Sequence, residues 1–72
     1  MELKEIEERI KKVVVAQFGK EVEFDKIESI RFVELIVRIE DEFDIEIEDD
    51  DLNVNVLGNY ELMAKYIQSK LE

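Results

Sequence analysis

The sequence predicts an all-α fold, a small four-helix bundle made of three longer helices and one short helix. Apolar residues recur at three- and four-residue steps along much of the 72-residue chain, which is the period of amphipathic helices. The composition is 46% hydrophobic in spite of a net charge of −10, and this periodic apolar content favours a folded chain over a disordered one. Since so short a chain supports one small core, we expect residues 1–72 to form a single domain.

The first helix is predicted from residue 3 to about residue 17, with Gly19 as its stop signal. Its apolar stripe consists of Leu3, Ile6, Ile10, Val13, Val14 and Phe18. Residues 20–28 lack this period but contain Val22, Phe24 and Ile27, which indicates an ordered loop laid across the bundle.

A second helix is predicted to begin near Ser29, as its N-cap, and to run to Phe43 or Asp44. The following residues, DIEIEDDDL, alternate polar and apolar side chains as a strand would. A lone strand has no pairing partner in so small a chain, so we predict a loop here.

The last third of the chain predicts one short and one longer helix. Asp49 to Asp51 supply an N-cap and first-turn acids for a short helical turn through Val54. Asn59 caps a final helix from Tyr60 to about Leu71. The predicted buried stripe of this helix consists of Leu62, Met63, Tyr66, Ile67 and Leu71.

Composition excludes several classes of function. The chain has no Cys and no His, so it lacks a thiol nucleophile, an imidazole base and the usual soft metal ligands. We expect no enzymatic activity and no metal site; the acidic run also lacks the spacing and the Gly of a calcium loop. Twenty acids against ten bases disfavour nucleic-acid binding and favour basic protein partners. No apolar run is long enough to enter a membrane, so we expect a cytoplasmic protein.

The second helix carries more apolar surface than one core requires. On a helical wheel one arc contains Phe32, Leu35, Ile36, Ile39 and Phe43, which accounts for the core. The opposite side contains Ile30, Val33 and Val37, interleaved with Glu34, Asp41 and Asp44. An apolar patch among charges of one sign is typical of a transient protein interface. The alternative is that these aliphatic residues are ordinary surface residues and the acids only maintain solubility.

The run from Glu28 to Ile47, ESIRFVELIVRIEDEFDIEI, resembles the signature of the acyl carrier protein family. The resemblance covers essentially the whole chain, and it implies the stand-alone carrier fold of three longer helices and a short one before the last. It also implies that a phosphopantetheinyl transferase joins 4′-phosphopantetheine to Ser29. The terminal thiol of the attached phosphopantetheine then carries cargo as a thioester. Ser29 would be a substrate serine, which needs no base of its own.

The resemblance assigns partner contacts along the second helix. Glu34, Glu40 and Asp41 match positions that contact basic patches on partner enzymes, and Val33 and Val37 match positions that add apolar contact. Glu28 stands where an Asp usually precedes the modified serine, and Ile30 follows the serine as Leu, Met or Ile does. Arg31 replaces a frequent acid, and the loop before Ser29 is shorter than in fatty-acid carriers and lacks a Gly.

The predicted function is therefore that of a monomeric carrier that presents acyl or aminoacyl intermediates to loading and processing enzymes. The cargo stays open among fatty acyl, D-alanyl, aminoacyl and polyketide units. An apolar chain would lie between helices, lined by residues such as Phe32, Ile36, Ile39, Leu62 and Tyr66. The alternative function is an unmodified, carrier-like adaptor that binds partners through its second helix.

Overall fold

The computed structural model describes the backbone of residues 1–72 and every side chain except that of Val54. The chain forms four α-helices and two single 3₁₀ turns. The helices are α1 (Leu3–Phe18), α2 (Ser29–Phe43), α3 (Val54–Leu57) and α4 (Tyr60–Leu71), and the 3₁₀ turns span Phe24–Lys26 and Asp49–Asp51. The described backbone contains no strand. The predicted fold of three longer helices and one short helix is confirmed.

The two long N-terminal helices both end in a left-handed residue. Gly19 has φ of 80° and its N–H donates to the Val15 carbonyl oxygen at 2.8 Å. Asp44 ends α2 with φ of 54°, and its N–H donates to the Glu40 carbonyl. Glycine adopts this conformation without a steric penalty and Asp is among the few other residues that tolerate it. Both ends lie within a residue of their predicted positions.

The short helix does not lie where the sequence predicted it. Asp49 to Asp51 form a separate 3₁₀ turn, closed by the N–H of Leu52 donating to the Asp49 carbonyl oxygen at 3.1 Å. The chain then becomes extended at Asn53, whose side-chain oxygen accepts the N–H of Asn55 at 2.9 Å and so caps α3. The prediction of a helix ending at Val54 is therefore wrong, because the N-cap is Asn53 and α3 starts at Val54.

The core is built from all four helices and both long loops. α1 packs against α2 and α4, and α3 packs against α4. The buried side chains are Ile6, Ile10, Val14, Phe24, Leu35, Ile36, Ile39, Phe43, Ile47, Leu57, Met63, Ala64 and Ile67. Each of the three longer helices therefore contributes one apolar stripe, as expected for amphipathic helices around a single core, and α3 contributes Leu57.

The predicted stripe of α4 is correct in its middle and wrong at its end. Met63 and Ile67 are buried, and Ala64 joins them although it was not predicted. Leu71 is exposed. It is the last residue of α4, one turn beyond the buried Ile67. Asn59 caps the helix as predicted, its side-chain oxygen accepting the N–H of Leu62 at 2.8 Å.

Residues 20–28 form an ordered connection across the bundle, as the sequence predicted. Phe24 is buried, with its ring centroid 6.0 Å from that of Phe32 and 4.7 Å from that of Tyr60. The Tyr60 hydroxyl donates to the Val22 carbonyl oxygen at 2.9 Å. These contacts fix the loop that leads into α2 against the start of α4.

A charged contact joins α1 to the end of α2. The Arg9 guanidinium donates to the Glu42 carboxylate at 2.9 Å and to the Glu42 carbonyl oxygen at 2.8 Å. Its central carbon also lies 4.5 Å from the centre of the Phe43 ring. Because the same guanidinium makes a charge-assisted bond and a cation–π contact, it holds the two helices in register.

Tyr66 of α4 binds the acidic loop, the segment between α2 and α3 that contains Asp49–Asp51. Its hydroxyl donates to the Asp51 carboxylate at 2.7 Å, and partial burial, together with this hydrogen bond, raises the pKa of Tyr66 to about 12. A raised pKa means that the contribution of the neutral phenol is complete below pH 10, the ordinary Tyr pKa, and is lost as the pH rises from there through about 12.

We therefore predict that Tyr66→Phe lowers stability at neutral pH by about 1 kcal/mol, the usual net value of one hydrogen bond. Urea titrations of both proteins between neutral pH and pH 12 measure this. The difference between them should shrink with rising pH, because the wild-type phenol ionises. A difference that stays constant up to pH 12 would contradict the assigned role of the hydroxyl.

None of the helices in the described chain combines the length and the apolar character that crossing a membrane requires.

Candidate functional site

Ser29 is the first residue of α2, and it is exposed. The prediction that Ser29 is the N-cap is wrong by one residue. Glu28 occupies that position in an extended conformation, with φ of −66° and ψ of 148°. The Glu28 carbonyl oxygen accepts the first helical hydrogen bond from the N–H of Phe32 at 2.9 Å, which is the defining property of an N-cap. The Ser29 hydroxyl is thus not used for capping, and the residue is exposed at the helix start.

The first turn of α2 is suited to a negative charge. The N–H groups of Ser29, Ile30 and Arg31 precede the first helical donor, and no described group of the protein accepts a hydrogen bond from them. The Glu28 side chain makes no capping bond, and the first turn holds no acid. Unpaired N–H groups and the positive end of the helix dipole both favour an anion at this place. A phosphate attached to the Ser29 oxygen would lie within this region.

A surface groove of about 340 Å³ begins at Ser29. It is formed by three segments of the chain, namely the 20–28 loop, the first turn of α2 and the segment around α3. Its lining residues are Phe24, Asp25, Ile27, Ser29, Phe32, Val33, Leu52, Asn53 and Gly58. A neighbouring groove of about 650 Å³ shares Phe24, Asp25 and Gly58 and extends to Tyr60. An arm attached at Ser29 therefore has an amphipathic surface beside it, with both carboxylate and aromatic groups.

The residues expected to line an acyl site are only partly at this groove. Phe32 lines it. Ile36 and Ile39 are buried in the core, at 3% and 0% exposure, while Leu62 and Tyr66 lie outside the groove lining. The helical wheel of α2 correctly placed Phe32, Ile36 and Ile39 on the inner face of that helix. Side-chain packing has filled that face, so the accessible space lies at the surface beside Ser29.

The predicted partner surface is exposed for six of its seven residues. Ile30, Val33 and Val37 have 67%, 48% and 52% of their surface exposed, which is large for aliphatic side chains on a helix that also supplies the core. The three exposed acids of the set are Glu28, Glu34 and Asp41. Five of these six residues form one outward face of α2, and Glu28 lies just before the helix, beside Ser29.

Glu40, the seventh predicted contact, is half-buried and has a structural role. Its carboxylate accepts the backbone N–H of Ile47 at 2.7 Å. Ile47 is buried, and this bond draws the loop after α2 back onto the bundle. The sequence pattern could not separate Glu40 from Asp41, because both are acids at the same end of the helix.

Several residues of the site were not predicted from the sequence. Asp25, Ile27, Leu52, Asn53 and Gly58 line the groove beside Ser29. They belong to separate segments that share no spacing with Ser29, so no local pattern connects them. One signal was available for Ile27, which is an apolar residue in an otherwise aperiodic loop.

Comparison with known protein families gives a match over most of the chain. The model of the family described as "Phosphopantetheine attachment site" matches residues 12–67, a range that contains all of α2 and α3 and both grooves. No solved structure gives a significant match to the chain.

Proposed function

This chain belongs to the phosphopantetheine attachment site family, a family of phosphopantetheine carriers, and on that premise we propose that Ser29 is the attachment residue. When bound, the group supplies a terminal thiol on a long flexible arm, which holds acyl or aminoacyl cargo as a thioester. The chain's own residues position the arm and dock partner enzymes, and they take no part in bond chemistry. The single observation that carries the proposal is an exposed serine hydroxyl at the first residue of α2.

The residues around Ser29 fit a phosphodiester. The first-turn N–H groups of α2 have no acceptor among the described groups of the protein, and they can donate to phosphate oxygens. The nearest side-chain charge within the helix is Arg31, and the acid at Glu28 precedes the helix. The fit therefore depends on backbone donors and on the helix dipole rather than on a dedicated basic pocket.

The chain offers little choice of attachment residue. It contains two serines, Ser29 and Ser69, and no threonine. Ser69 lies in the last turns of α4, where the helix dipole is negative, and it falls outside the matched range 12–67. Ser29 lies inside that range. The local electrostatics and the family match therefore support the same residue.

We propose that partner enzymes dock on the outward face of α2. The exposed apolar strip of Ile30, Val33 and Val37 would supply the desolvated contact. Glu34 and Asp41, together with the net charge of −10, would steer basic surfaces towards it. The identity of the cargo, the monomeric state and the cytoplasmic location stay predictions.

The test of the proposal is the intact mass of the protein before and after incubation with coenzyme A and a broad-specificity phosphopantetheinyl transferase. Addition of one phosphopantetheine, mapped by peptide analysis to the segment containing Ser29, is the expected result. Absence of any addition, while a known carrier is modified in parallel, would instead favour the unmodified adaptor.

The acidic residues of the docking face give a second prediction. Glu34→Lys combined with Asp41→Lys should lower kcat/KM for modification by the transferase by about tenfold at low salt, because steering is lost and like charges meet. Raising the salt should shrink this effect. A matched control is Glu8→Lys combined with Glu72→Lys, which makes the same change of net charge at exposed positions of α1 and the C-terminus. Equal rates for both double variants would remove the acidic face from docking.

A further inference from the structure

Two arginines form a basic line along the edge of the docking face. The segments IRFVE (30–34) and VRIED (37–41) share a pattern at an interval of seven residues, which is about two helical turns. The pattern aligns Arg31 with Arg38, and Glu34 with Asp41. At about 100° per residue the basic line lies about 60° around α2 from the acidic line. The docking face is therefore acidic and apolar over most of its width and basic along one edge.

Arg31 has two contacts with the end of α1 at this edge, one through its side chain and one through its backbone. Its guanidinium carbon lies 4.8 Å from the centre of the Phe18 ring, at the end of α1. The side chain of Gln17 donates to the Arg31 carbonyl oxygen at 3.2 Å. The guanidinium of Arg31 is 4.0 Å from the Glu34 carboxylate, a distance at the outer limit of an ion pair, so neither charge is neutralised by a close contact. A guanidinium stacked on a ring keeps its N–H edge available to a second partner.

Arg38 is available in a different way. It is exposed, and it has no ion pair or hydrogen bond among the described side chains. It borders a shallow groove between α1 and α2 whose other lining residues are Val13, Ala16, Asp41 and Glu42. Glu42 is already bound by Arg9. Of the three arginines, Arg9 and Arg31 have a carboxylate within 4.0 Å, and Arg38 has none among the described side chains.

We propose that Arg31, supported by Arg38, is a specificity-determining residue for the phosphopantetheinyl transferase of this protein. The fitting transferase presents a carboxylate opposite the first turn of α2, beside the basic groups that pair with Glu34 and Asp41. This inference rests on the proposed function, since a transferase that acts on Ser29 must approach Arg31, two residues further along α2. Charge complementarity therefore favours a transferase with such a carboxylate over one without it.

A transferase whose docking surface is uniformly basic fits this edge poorly. Its basic groups would attract Glu34 and Asp41 but repel Arg31, which carries the same charge. Arg31 cannot turn aside without losing the contact with Phe18. The like-charge contact therefore lowers the rate with transferases that lack the matching carboxylate, although long-range attraction to the acidic molecule remains.

The test measures kcat/KM for modification of purified variants by a broad-specificity transferase with coenzyme A, at about 0.01 M and about 1 M salt. The variants are Arg31→Glu, Arg31→Lys and Arg38→Glu. The control Lys4→Glu makes the same charge change in the first turn of α1, at the opposite end of that helix from Phe18. Thermal unfolding of each variant checks that it is folded.

We expect Arg31→Glu to raise kcat/KM by about three- to tenfold at low salt, with a smaller rise for Arg38→Glu and none beyond that of Lys4→Glu at high salt. Arg31→Lys keeps the charge but loses the planar group that stacks on Phe18, so it should raise kcat/KM by clearly less than Arg31→Glu does. A salt-sensitive fall in Arg31→Glu would locate the matching carboxylate on the probe transferase itself and would also support the proposal.

Two results would overturn the inference while leaving the proposed function intact. One is equal kcat/KM for Arg31→Glu, Lys4→Glu and the wild type, and the other is an Arg31→Lys protein that changes as much as Arg31→Glu, which would assign the effect to packing. If Arg31→Glu is the one protein in the series that is modified, the result would support both the proposed function and this inference. If no variant is modified while a known carrier is, the proposed function fails and this inference fails with it.

Discussion

Replacement of Ser29 by alanine should abolish addition of phosphopantetheine to the protein. The substitution removes the one oxygen at the start of α2 to which the group can be joined, and no neighbouring hydroxyl can replace it because the chain has only one other serine and no threonine. The fold should be unaffected, since the Ser29 side chain makes no hydrogen bond in the described structure. Intact mass after incubation with coenzyme A and transferase measures the loss, and circular dichroism confirms the helical content.

Ser69→Ala is the matched control for this experiment. It removes the same atoms from an exposed position in α4 and should leave the extent of modification unchanged. Persistent addition of the group to Ser29→Ala protein would show that the attachment residue has been assigned wrongly. Loss of addition in both variants would point to a general effect of the substitutions on the fold.

Leu35→Ala should remove much of the stability of the domain. Leu35 is fully buried on the inner face of α2, and truncating a buried leucine typically costs about 2–5 kcal/mol, from lost transfer energy and the cavity left behind. A domain of this size has a total free energy of unfolding near the lower end of about 5–15 kcal/mol. We therefore expect a large shift of the urea midpoint, with a considerable unfolded fraction at 37 °C.

The control for Leu35→Ala lies two residues further along the same helix. Val37 is 52% exposed on the outer face, so Val37→Ala should change the free energy of unfolding by less than about 0.5 kcal/mol. The pair thus compares the inner and outer faces of α2 directly. A loss below about 1 kcal/mol for Leu35→Ala would mean that the core around it can collapse into the space, contrary to the tight burial seen here.

The fold could largely be predicted because its signals are local. The apolar period, Gly19 and Asn59 gave α1, α2 and α4 within about a residue at their ends. The signal failed at Asp49–Asp51, since three acids resemble a helix N-terminus whether they begin an α-helix or a 3₁₀ turn. The extended conformation of Asn53 separates the 3₁₀ turn from α3, and the acidic loop contacts Tyr66, fifteen positions away in sequence, which no local pattern shows.

The candidate site was predicted less completely, because much of it is formed by contacts between distant segments. Ser29 and the outer face of α2 follow from one continuous motif. The groove beside Ser29 combines Asp25, Asn53 and Gly58, whose proximity no spacing indicates. The positions of Arg9 and Arg31 depend likewise on rings in other parts of the chain, Phe43 and Phe18, so the sequence showed their charges but not their partners.

The contact between Tyr60 and the loop before α2 bears on the timing of modification. The hydroxyl of Tyr60 reaches the Val22 carbonyl across 38 positions of sequence, and its ring packs on Phe24, which lines the groove shared with Ser29. The surroundings of Ser29 are therefore incomplete until α4 has been synthesised and has docked. An enzyme that recognises these surroundings would ignore nascent and misfolded chains, so attachment of the arm would also serve as a quality check on the finished domain.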